Sequence, residues 1–359
     1  MSQMRKSIKI GAREIGPGHP VYIVFEAGPT HDGIETAKRL VDMAAGAGAD
    51  AVKFQLLNAE SMVSSREVMF SYTRLVDRTT GQTEHVTESL LDILRRRELP
   101  REQWRELIDY CRAQGLEFFS TATDGDELEF LHANGVQTVK VCSGDVNYHH
   151  FLRMAAKYPW SIQLDTGSSS LGEVEQAVDV LEEAGATDII INHCPSGYPA
   201  RLESINLRIL RTIQTMFPYP VAFSDHTPGW EMDVAAVAMG AEMIEKTITL
   251  DRTTRSPEHI MSLEPDEASR FVQTIRDVEV ALGNPRRILA REERSRRQVA
   301  RRSVFSACAI RCGDVLSQDM IAYRRPGDGI PADLDAMLLG RRLKRDIQPG
   351  EKLRLEDFE

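Results

Sequence analysis

Side chains capable of catalysis or ligand binding recur in this 359-residue sequence at the points where short runs of β-branched and aromatic residues end. Such runs are typical of buried strands. If the strands are parallel, their C-terminal ends share one face of the fold, and we expect these side chains to converge on one rim. In chain order they are Glu26, Lys53, Gln55, Ser120, Thr121, Lys140, Ser143, Asp165, Thr166, Asn192, His193, Ser224, Asp225, His226, Lys246 and Thr247.

Two lysines, Lys53 and Lys140, lie inside hydrophobic runs. Lysine is rarely buried unless an acidic group pairs with it. Together with the nearby hydroxyl groups and histidines, the two lysines favour a phosphorylated or carboxylated small-molecule substrate, with or without a divalent metal. Taken singly, each of these residues could be a solvated residue at the start of a loop, and the set as a whole carries the prediction.

Two histidines directly follow predicted strands. His226, between Asp225 and Thr227, is predicted to bind a metal or to take part in catalysis, because a neutral imidazole at a strand end is a common metal ligand. For His193, a structural hydrogen bond is the favoured interpretation.

The elements that must position these residues form eight strand–helix units, which predicts a (β/α)8 barrel over residues 1–284. No glycine-rich dinucleotide loop follows the first strand, which disfavours a doubly wound open sheet. Helices are predicted over 34–47, 101–113, 171–184, 230–239 and 265–282. The predicted strands are 21–26, 50–55, 116–121, 137–142, 160–165, 187–192, 220–224 and 242–247.

Two connections are too long for simple turns. They cover residues 56–100, after the second strand, and 248–264, after the eighth. Long connections in compact domains tend to be functional, and both follow strands on the face where barrel enzymes carry out their chemistry.

The pattern changes after the last predicted helix. An arginine-rich stretch predicts a linker or solvated helix over 285–298, followed by short strand-like pieces broken by glycine and proline. We expect a second, β-rich domain over 299–359.

Composition limits the function classes. With 42% hydrophobic and 27% charged residues, the chain is typical of a soluble globular protein, and its net charge of -10 argues against nucleic-acid binding. No apolar run is long enough for a membrane span, and five cysteines without paired spacing fit reduced thiols. A cytoplasmic location is expected.

Several ordered motifs resemble those of the sialic acid synthase (N-acetylneuraminate synthase-like) family over nearly the whole chain. They are YIVFEAG, HDG, GADAVKFQ, FFSTATD, VKVCSGD, NHCPSGYP, FSDHTPG, SLEPDE and RRPGDGI. The resemblance implies a TIM-barrel enzyme with a C-terminal antifreeze-like (SAF) domain. It also implies condensation of phosphoenolpyruvate (PEP) with a sugar aldehyde such as N-acetylmannosamine, with Mn2+ or Mg2+ as cofactor.

The resemblance also implies roles for individual residues. Lys53, Thr121, Lys140 and Ser143 would hold the carboxylate and phosphate of PEP, and Asp165, Ser196 and Ser224 occupy further substrate-binding positions. Glu26, Tyr198 and Glu258 would contact the sugar acceptor. His226 would be a metal ligand. Arg325 would reach into the barrel of a partner subunit, which implies a domain-swapped homodimer.

Four positions depart from the family pattern. Thr247 replaces the usual second metal-binding histidine, and a neutral hydroxyl is a poorer ligand than imidazole. Asp145 replaces a glutamate expected to move a proton. Asp165 and Ser196 replace a serine and an asparagine, and an anionic Asp165 beside a phosphate would be repulsive without a cation or proton.

Three functions therefore remain open from the sequence. The first is a PEP-dependent synthase. The second is a lysine-dependent aldolase or lyase, with a Schiff base on Lys140 and with Asp145 or His226 moving protons. The third is a sugar-acid-binding protein that kept the barrel but lost catalysis.

Overall fold

Eight parallel strands close into a barrel, which confirms the predicted fold. A computed structural model describes residues 5–359. Neighbouring barrel strands pair in sequence order, and the eighth pairs with the first through Thr247 and Glu26. The barrel strands are β3 (Tyr22–Glu26), β4 (Ala51–Gln55), β7 (Glu117–Thr121), β8 (Thr138–Val141), β9 (Ser161–Asp165), β10 (Ile189–His193), β11 (Val221–Asp225) and β12 (Met243–Thr247).

Helices form an outer layer because each presents an apolar stripe to the strands. In the helix over 101–113, for example, the buried residues are Trp104, Leu107, Ile108 and Cys111. Within residues 5–359, no helix combines the length and apolar character that crossing a bilayer requires. The helices of this unit are α1 (Ile34–Ala47), α2 (Ala59–Met62), α3 (Leu90–Arg95), α4 (Arg101–Ala113), α5 (Gly125–Ala133), α6 (His149–Ala155), α7 (Leu171–Glu183), α8 (Leu202–Ile205), α9 (Ile209–Met216), α10 (Glu231–Ala238) and α11 (Pro265–Leu282).

The barrel interior changes from apolar to polar along the strands. Near their N-terminal ends the inward side chains form a small hydrophobic cluster that includes Phe119, Ile190 and Met243. A hairpin of β1 (Ile8–Ile10) and β2 (Arg13–Ile15) contributes isoleucines to that cluster. The inward positions further along the strands carry ionisable groups, so the polar site rests on a packed hydrocarbon layer.

The long connection after β4 is ordered rather than a plain loop. It contains α2, α3 and an antiparallel hairpin of β5 (Met69–Asp77) and β6 (Gln82–Ser89). The connection after β12 contains a single turn of 3-10 helix at His259–Met261 and returns to the barrel through a bridge between Ile248 and Leu263.

A second compact unit runs from Asn284 to Glu359. Its first helix, α12 (Arg291–Ala300), overlaps the segment 285–298 interpreted from the sequence as a linker or solvated helix and ends two residues beyond it. Strands β13 (Ser303–Ser306) and β14 (Ile321–Arg324) pair antiparallel. Its own core includes Val304, Leu343 and Phe358.

The end of α1 provides a matched test of backbone conformation. Gly48 terminates the helix in the left-handed region at φ 82°, whereas Gly46 is exposed inside the helix, where an added methyl group meets no atom within 4 Å. We expect Gly48→Ala to lower the free energy of unfolding by roughly 1–2 kcal/mol, and Gly46→Ala to raise it by roughly 0.5–1 kcal/mol. Urea unfolding of both variants checks this, and equal effects would contradict the assigned cap.

Candidate active site

A cavity of about 140 Å³ opens at the C-terminal ends of the barrel strands. Most of the residues predicted from the sequence to bind substrate lie on its wall, although they come from widely separated stretches of chain. They are Glu26, Lys53, Thr121, Lys140, Ser143, Asp165, Tyr198, His226 and Glu258.

A chain of buried ion pairs crosses the barrel beneath this cavity. Lys53 contacts the Glu26 carboxylate, and its Nζ lies 3.5 Å from Oε1 of Glu245. The same Glu245 oxygen is 2.7 Å from Nζ of Lys140, which in turn is 2.9 Å from Oδ2 of Asp165. The order Glu26, Lys53, Glu245, Lys140, Asp165 alternates in charge, so each buried ammonium contacts two carboxylates.

Neutral polar groups satisfy the remaining oxygens of this chain. The Gln163 amide donates to Glu245 at 3.0 Å, and the Ser224 hydroxyl donates to the same carboxylate at 3.2 Å. The Asn192 amide donates to Asp165 at 2.5 Å. Buried charges are tolerated when they are both paired and hydrogen-bonded, which is the case here.

The ion pairs set the protonation states. Burial alone would raise the pKa of the Glu245 carboxyl, but Lys140 and Lys53 lower it to about 2. Burial alone would lower the pKa of Lys140, but Asp165 and Glu245 raise it well above its ordinary value. Glu245 is therefore a carboxylate and Lys140 an ammonium at neutral pH.

Two aromatic side chains on the cavity wall, those of Tyr198 and His226, contact each other. The rings of Tyr198 and His226 lie 4.7 Å apart between centroids. Nδ1 of His226 is 3.1 Å from the Pro195 carbonyl oxygen, which leaves Nε2 for a ligand. Burial raises the pKa of Tyr198, so its phenol stays neutral. His193 is hydrogen-bonded through Nε2 to the Ile205 carbonyl oxygen at 2.6 Å.

Three other predicted residues are not on the cavity wall. The Ser224 hydroxyl donates to Glu245. The Ser196 hydroxyl oxygen is 2.8 Å from the hydroxyl oxygen of Ser168. Asp145 accepts a hydrogen bond from the Cys142 thiol at 3.0 Å, and burial raises the pKa of its carboxyl. Cys142 does line the cavity, so Asp145 is one side chain removed from it.

Asp225 and Lys246, expected at the rim, face the helix layer instead. The Lys246 ammonium contacts Asp225, donates to the Thr227 carbonyl oxygen at 2.6 Å, and lies 3.5 Å from Oδ2 of Asp233 on α10. All three side chains are buried. They form an ionic link between the barrel wall and its outer helices rather than part of the cavity.

The side chains around His226 are the candidate ligands for the predicted divalent metal. Across residues 5–359, no three His, Cys, Asp or Glu side chains are grouped to hold a metal ion. Beside His226, the neighbouring strand places Thr247, and two carboxylates of the same cavity wall, Glu26 and Glu245, are bound to lysines. These residues do not form a metal site of their own.

Arg325 belongs to the second unit, where its side chain is exposed. It precedes Pro326 at the end of β14. Its predicted reach into the barrel of a partner subunit stays a prediction.

Glu245 is the principal site residue that was not predicted from the sequence. It is the central acidic residue of the ion-pair chain and is 3% exposed. A signal was present, since a glutamate in the middle of the run Met-Ile-Glu-Lys-Thr is seldom buried without a partner.

A closed barrel with ionisable side chains around a cavity at its C-terminal strand ends is the arrangement of a barrel enzyme's active site. Comparison with known protein families gives two matches. The NeuB family model matches residues 40–287, and the SAF domain model matches residues 301–359. The chain belongs to the NeuB family, whose members include named synthases, and it is an enzyme of the transferase type.

Several relatives share most of their length with this chain. N,N'-diacetyllegionaminic acid synthase of Campylobacter jejuni is 32% identical over 335 residues, which cover 92% of this chain and 98% of the relative. Human N-acetylneuraminate-9-phosphate synthase is 32% identical over 346 residues, which cover 95% and 93%. The crystal structure of the N-acetylneuraminic acid synthetase of Leptospira borgpetersenii, in complex with citrate, is 29% identical with a TM-score of 0.71, covering 82% and 96%.

Replacing Glu245 should show how much the ion-pair chain stabilises the fold. We expect Glu245→Gln to lower the free energy of unfolding at pH 7 by about 3–5 kcal/mol, because two buried ammonium groups lose their shared partner. The pKa of Glu245 is lowered from 4.5 to about 2 in the folded protein, so its contribution is complete above about pH 4.5 and is lost as the pH falls toward about 2.

Urea unfolding between pH 3 and 7 measures this effect. The control is Glu106→Gln, which removes an exposed carboxylate paired with Lys38 and should cost less than about 1 kcal/mol. A Glu245→Gln variant as stable as the wild type would show that the lysines do not depend on this carboxylate.

Restoring a histidine should create the missing metal ligand. Thr247 lies beside His226 because Lys246 pairs with Asp225 in the strand register, and both side chains share the inward orientation of Glu245 and Ser224. We expect Thr247→His to tighten Mn2+ binding at least about tenfold over the wild type, as measured by calorimetry. His226→Ala in the Thr247→His background should abolish the gain, and unchanged affinity in Thr247→His would contradict the assigned geometry.

Proposed function

We propose that this protein is a PEP-dependent synthase that condenses PEP with an N-acetylmannosamine-like sugar aldehyde. The products are phosphate and a nonulosonic, sialic-acid-like 2-keto acid. The observation that carries the proposal is the pair of buried ammonium groups, Lys53 and Lys140, facing one cavity of a NeuB-family barrel. Relatives named as legionaminic, pseudaminic and N-acetylneuraminate-9-phosphate synthases support the product class.

The lysines can bind an anionic substrate while they stay paired. An ammonium group has three N–H donors, and each lysine lies within ion-pair distance of two carboxylates, which leaves at least one donor for a ligand. The third donor of each, with the hydroxyl groups of Thr121 and Ser143, would hold the carboxylate and phosphate of PEP. Oxyanions bound by charge-assisted hydrogen bonds in a buried site gain affinity and a fixed orientation.

The acceptor would occupy the outer part of the cavity. Glu26, Tyr198 and Glu258 line it and can accept or donate hydrogen bonds to sugar hydroxyl and amide groups. The named products of the relatives include free sugar acids and one that carries a 9-phosphate. The chain length and substituents of the acceptor are therefore open.

The reaction balances with these reactants and water. C3 of PEP attacks the aldehyde carbon, water adds at C2 of PEP, and phosphate departs as its C–O bond breaks. Nε2 of His226, the ring nitrogen not engaged with Pro195, would hydrogen-bond the oxygen of the former aldehyde, which takes up the proton released by the attacking water. Asp145, which reaches the cavity through Cys142, would move a proton to or from the attacking water.

Charge balance shapes the binding of PEP. The ion-pair chain holds three carboxylates and two ammonium groups, so it carries a net charge of about -1 when all are ionised. A phosphate beside Asp165 would be repelled unless a proton or cation accompanies it. We infer that PEP binds together with such a positive charge.

The ion pairs argue against the aldolase alternative. A Schiff base forms from a neutral amine, whereas Asp165 and Glu245 hold Lys140 as an ammonium ion. The third alternative, a binding protein without catalysis, keeps the same cavity and differs in showing ligand binding without turnover.

Several expectations accompany the proposal. We assign the catalytic domain to residues 1–284, a linker to 285–298 and the SAF domain to 299–359. The partners are small-molecule substrates and a second copy of the chain in a domain-swapped homodimer through Arg325, without nucleic acid or membrane. The protein is predicted to be cytoplasmic. The divalent metal stays a prediction that the donor set does not support.

An assay of the purified protein tests the function. We expect phosphate release that requires both PEP and an aldose acceptor, with a 2-keto acid formed in equal amount. Lys140→Met should lower kcat/KM for PEP by about 100-fold or more, because it removes an oxyanion donor. Thr121→Val keeps the ion pairs intact and should lower it about tenfold.

Lys157→Met changes an exposed lysine and serves as the control. Circular dichroism and thermal melting establish that each variant is folded. If borohydride traps a substrate adduct on Lys140, the protein is an aldolase and not a synthase. If PEP binds without any turnover, the protein is a non-catalytic binding protein.

A further inference from the structure

A second cavity in the barrel unit, of about 250 Å³, lies apart from the ion-pair chain. Its wall is formed by the loop after β3, the residues that follow α3, and the connection after β12. Glu258, in that connection, lines the active-site cavity, whereas its neighbours Ser256 and His259 line this one. The two cavities therefore lie on either side of the same short segment.

Arg97 is a buried cation without an acidic partner. Its side chain is 5% exposed, and its one side-chain hydrogen bond runs from Nη2 to the Ser256 hydroxyl at 3.1 Å. Nε has no partner, and the guanidinium forms no ion pair within residues 5–359. The two preceding arginines differ, since Arg95 pairs with Glu60 and Arg96 with Glu88.

Leaving a guanidinium buried and unpaired is costly, so a group of this kind normally has an anion beside it. Burial lowers the pKa of Arg97, and the nearby Glu258 opposes that effect without reaching ion-pair distance. A lone buried cation that lines a cavity is thus unexplained by contacts within this part of the chain.

His31 faces the same cavity with both ring nitrogens unpartnered. The side chain is buried at 4% exposure, and its ring packs edge-on against Phe54 and Trp104. Burial, followed by the charge of Arg97, lowers its pKa to about 4, so the ring is neutral at pH 7 and carries one N–H donor. His259, by contrast, has its Nδ1 2.7 Å from the Thr249 hydroxyl.

Neither acidic side chain on the cavity wall forms an ion pair with Arg97. Asp32 accepts a hydrogen bond from the Thr36 hydroxyl, and Asp251 accepts from Arg78 at 2.6 Å and from Thr253. On the cationic side, Arg96 is paired, and Arg255 lies 3.8 Å from Glu88. Arg97 is the cation on this wall whose charge is uncompensated.

We propose that Arg97, Ser256 and His31 form a binding site for an oxyanion, namely a phosphate or carboxylate group. A guanidinium presents a planar fork of donors that matches such a group, and the hydroxyl and imidazole N–H add neutral donors. The oxyanion has two sources: an acidic substituent on the acceptor substrate, or free inorganic phosphate. The first source rests on the proposed function, and the second does not.

Phosphate binding to the full-length chain tests the site. Isothermal titration with inorganic phosphate compares the wild type with Arg97→Leu and Arg97→Lys. We expect Arg97→Leu to weaken one phosphate site at least about tenfold, and Arg97→Lys to weaken it less. Arg95→Gln changes an exposed arginine two residues away and should bind phosphate like the wild type.

Thermal melting separates a binding role from a structural one. Replacing an unpaired buried cation with a hydrocarbon side chain removes a desolvation cost. Arg97→Leu should therefore melt at the same or a higher temperature without phosphate, while showing a smaller rise with phosphate than the wild type. A lower melting temperature with unchanged phosphate binding would overturn the proposal and make Arg97 a structural residue.

Kinetics distinguish the two sources of the oxyanion. If the acceptor supplies it, Arg97→Leu lowers kcat/KM at least about tenfold for a phosphorylated or carboxylated acceptor and leaves that for the neutral sugar unchanged. If free phosphate is the oxyanion, Arg97→Leu loses phosphate binding at this site. The ratio of kcat/KM for the acidic acceptor to kcat/KM for the neutral sugar then stays as in the wild type. Absence of PEP-dependent turnover would refute the proposed function and leave the phosphate titration as the test of this site.

Discussion

The shared carboxylate of Glu245 is the constraint on which the candidate active site depends. It binds Lys53 on β4 and Lys140 on β8, and each lysine has its outer partner in Glu26 or Asp165. Two buried ammonium groups without it would repel each other in a medium that screens charge poorly. With it, the positions of both lysines are fixed before any substrate arrives, so the site is preorganised for an anion.

The barrel makes this arrangement possible because polarity changes along its axis. The inward positions start with hydrocarbon, including Phe119 and Met243, and the N-terminal hairpin covers that end. In the next layer toward the C-terminal strand ends, neutral side chains supply the hydrogen bonds that the carboxylates need. They are Gln163, Ser224 and Asn192. The dry lower layer excludes water from below, which strengthens every interaction in the layer above it.

Sequence patterns predicted the elements better than the orientation of side chains within them. The eight barrel strands lie within two residues of their predicted bounds, since apolar runs bounded by helix-ending glycines are strong signals. Whether Glu245 or Lys246 faces the cavity could not be predicted, because strands buried on both faces show no alternation in polarity. The hairpin β5–β6 was missed because it is partly exposed and mostly polar.

The same contacts indicate which chemistry the site can support. Lys140 is held as a cation by two carboxylates, so it can orient an anion but is a poor nucleophile. Beside it, the ends of β11 and β12 present one imidazole, on His226, and one hydroxyl, on Thr247. Glu26 and Glu245 already neutralise lysines, so under the proposed function the positive charge for a phosphorylated substrate would come from the remaining N–H of each ammonium group and from a proton or cation that enters with the substrate. Covalent attachment through the lysines would first require breaking the ion pairs that hold the site together.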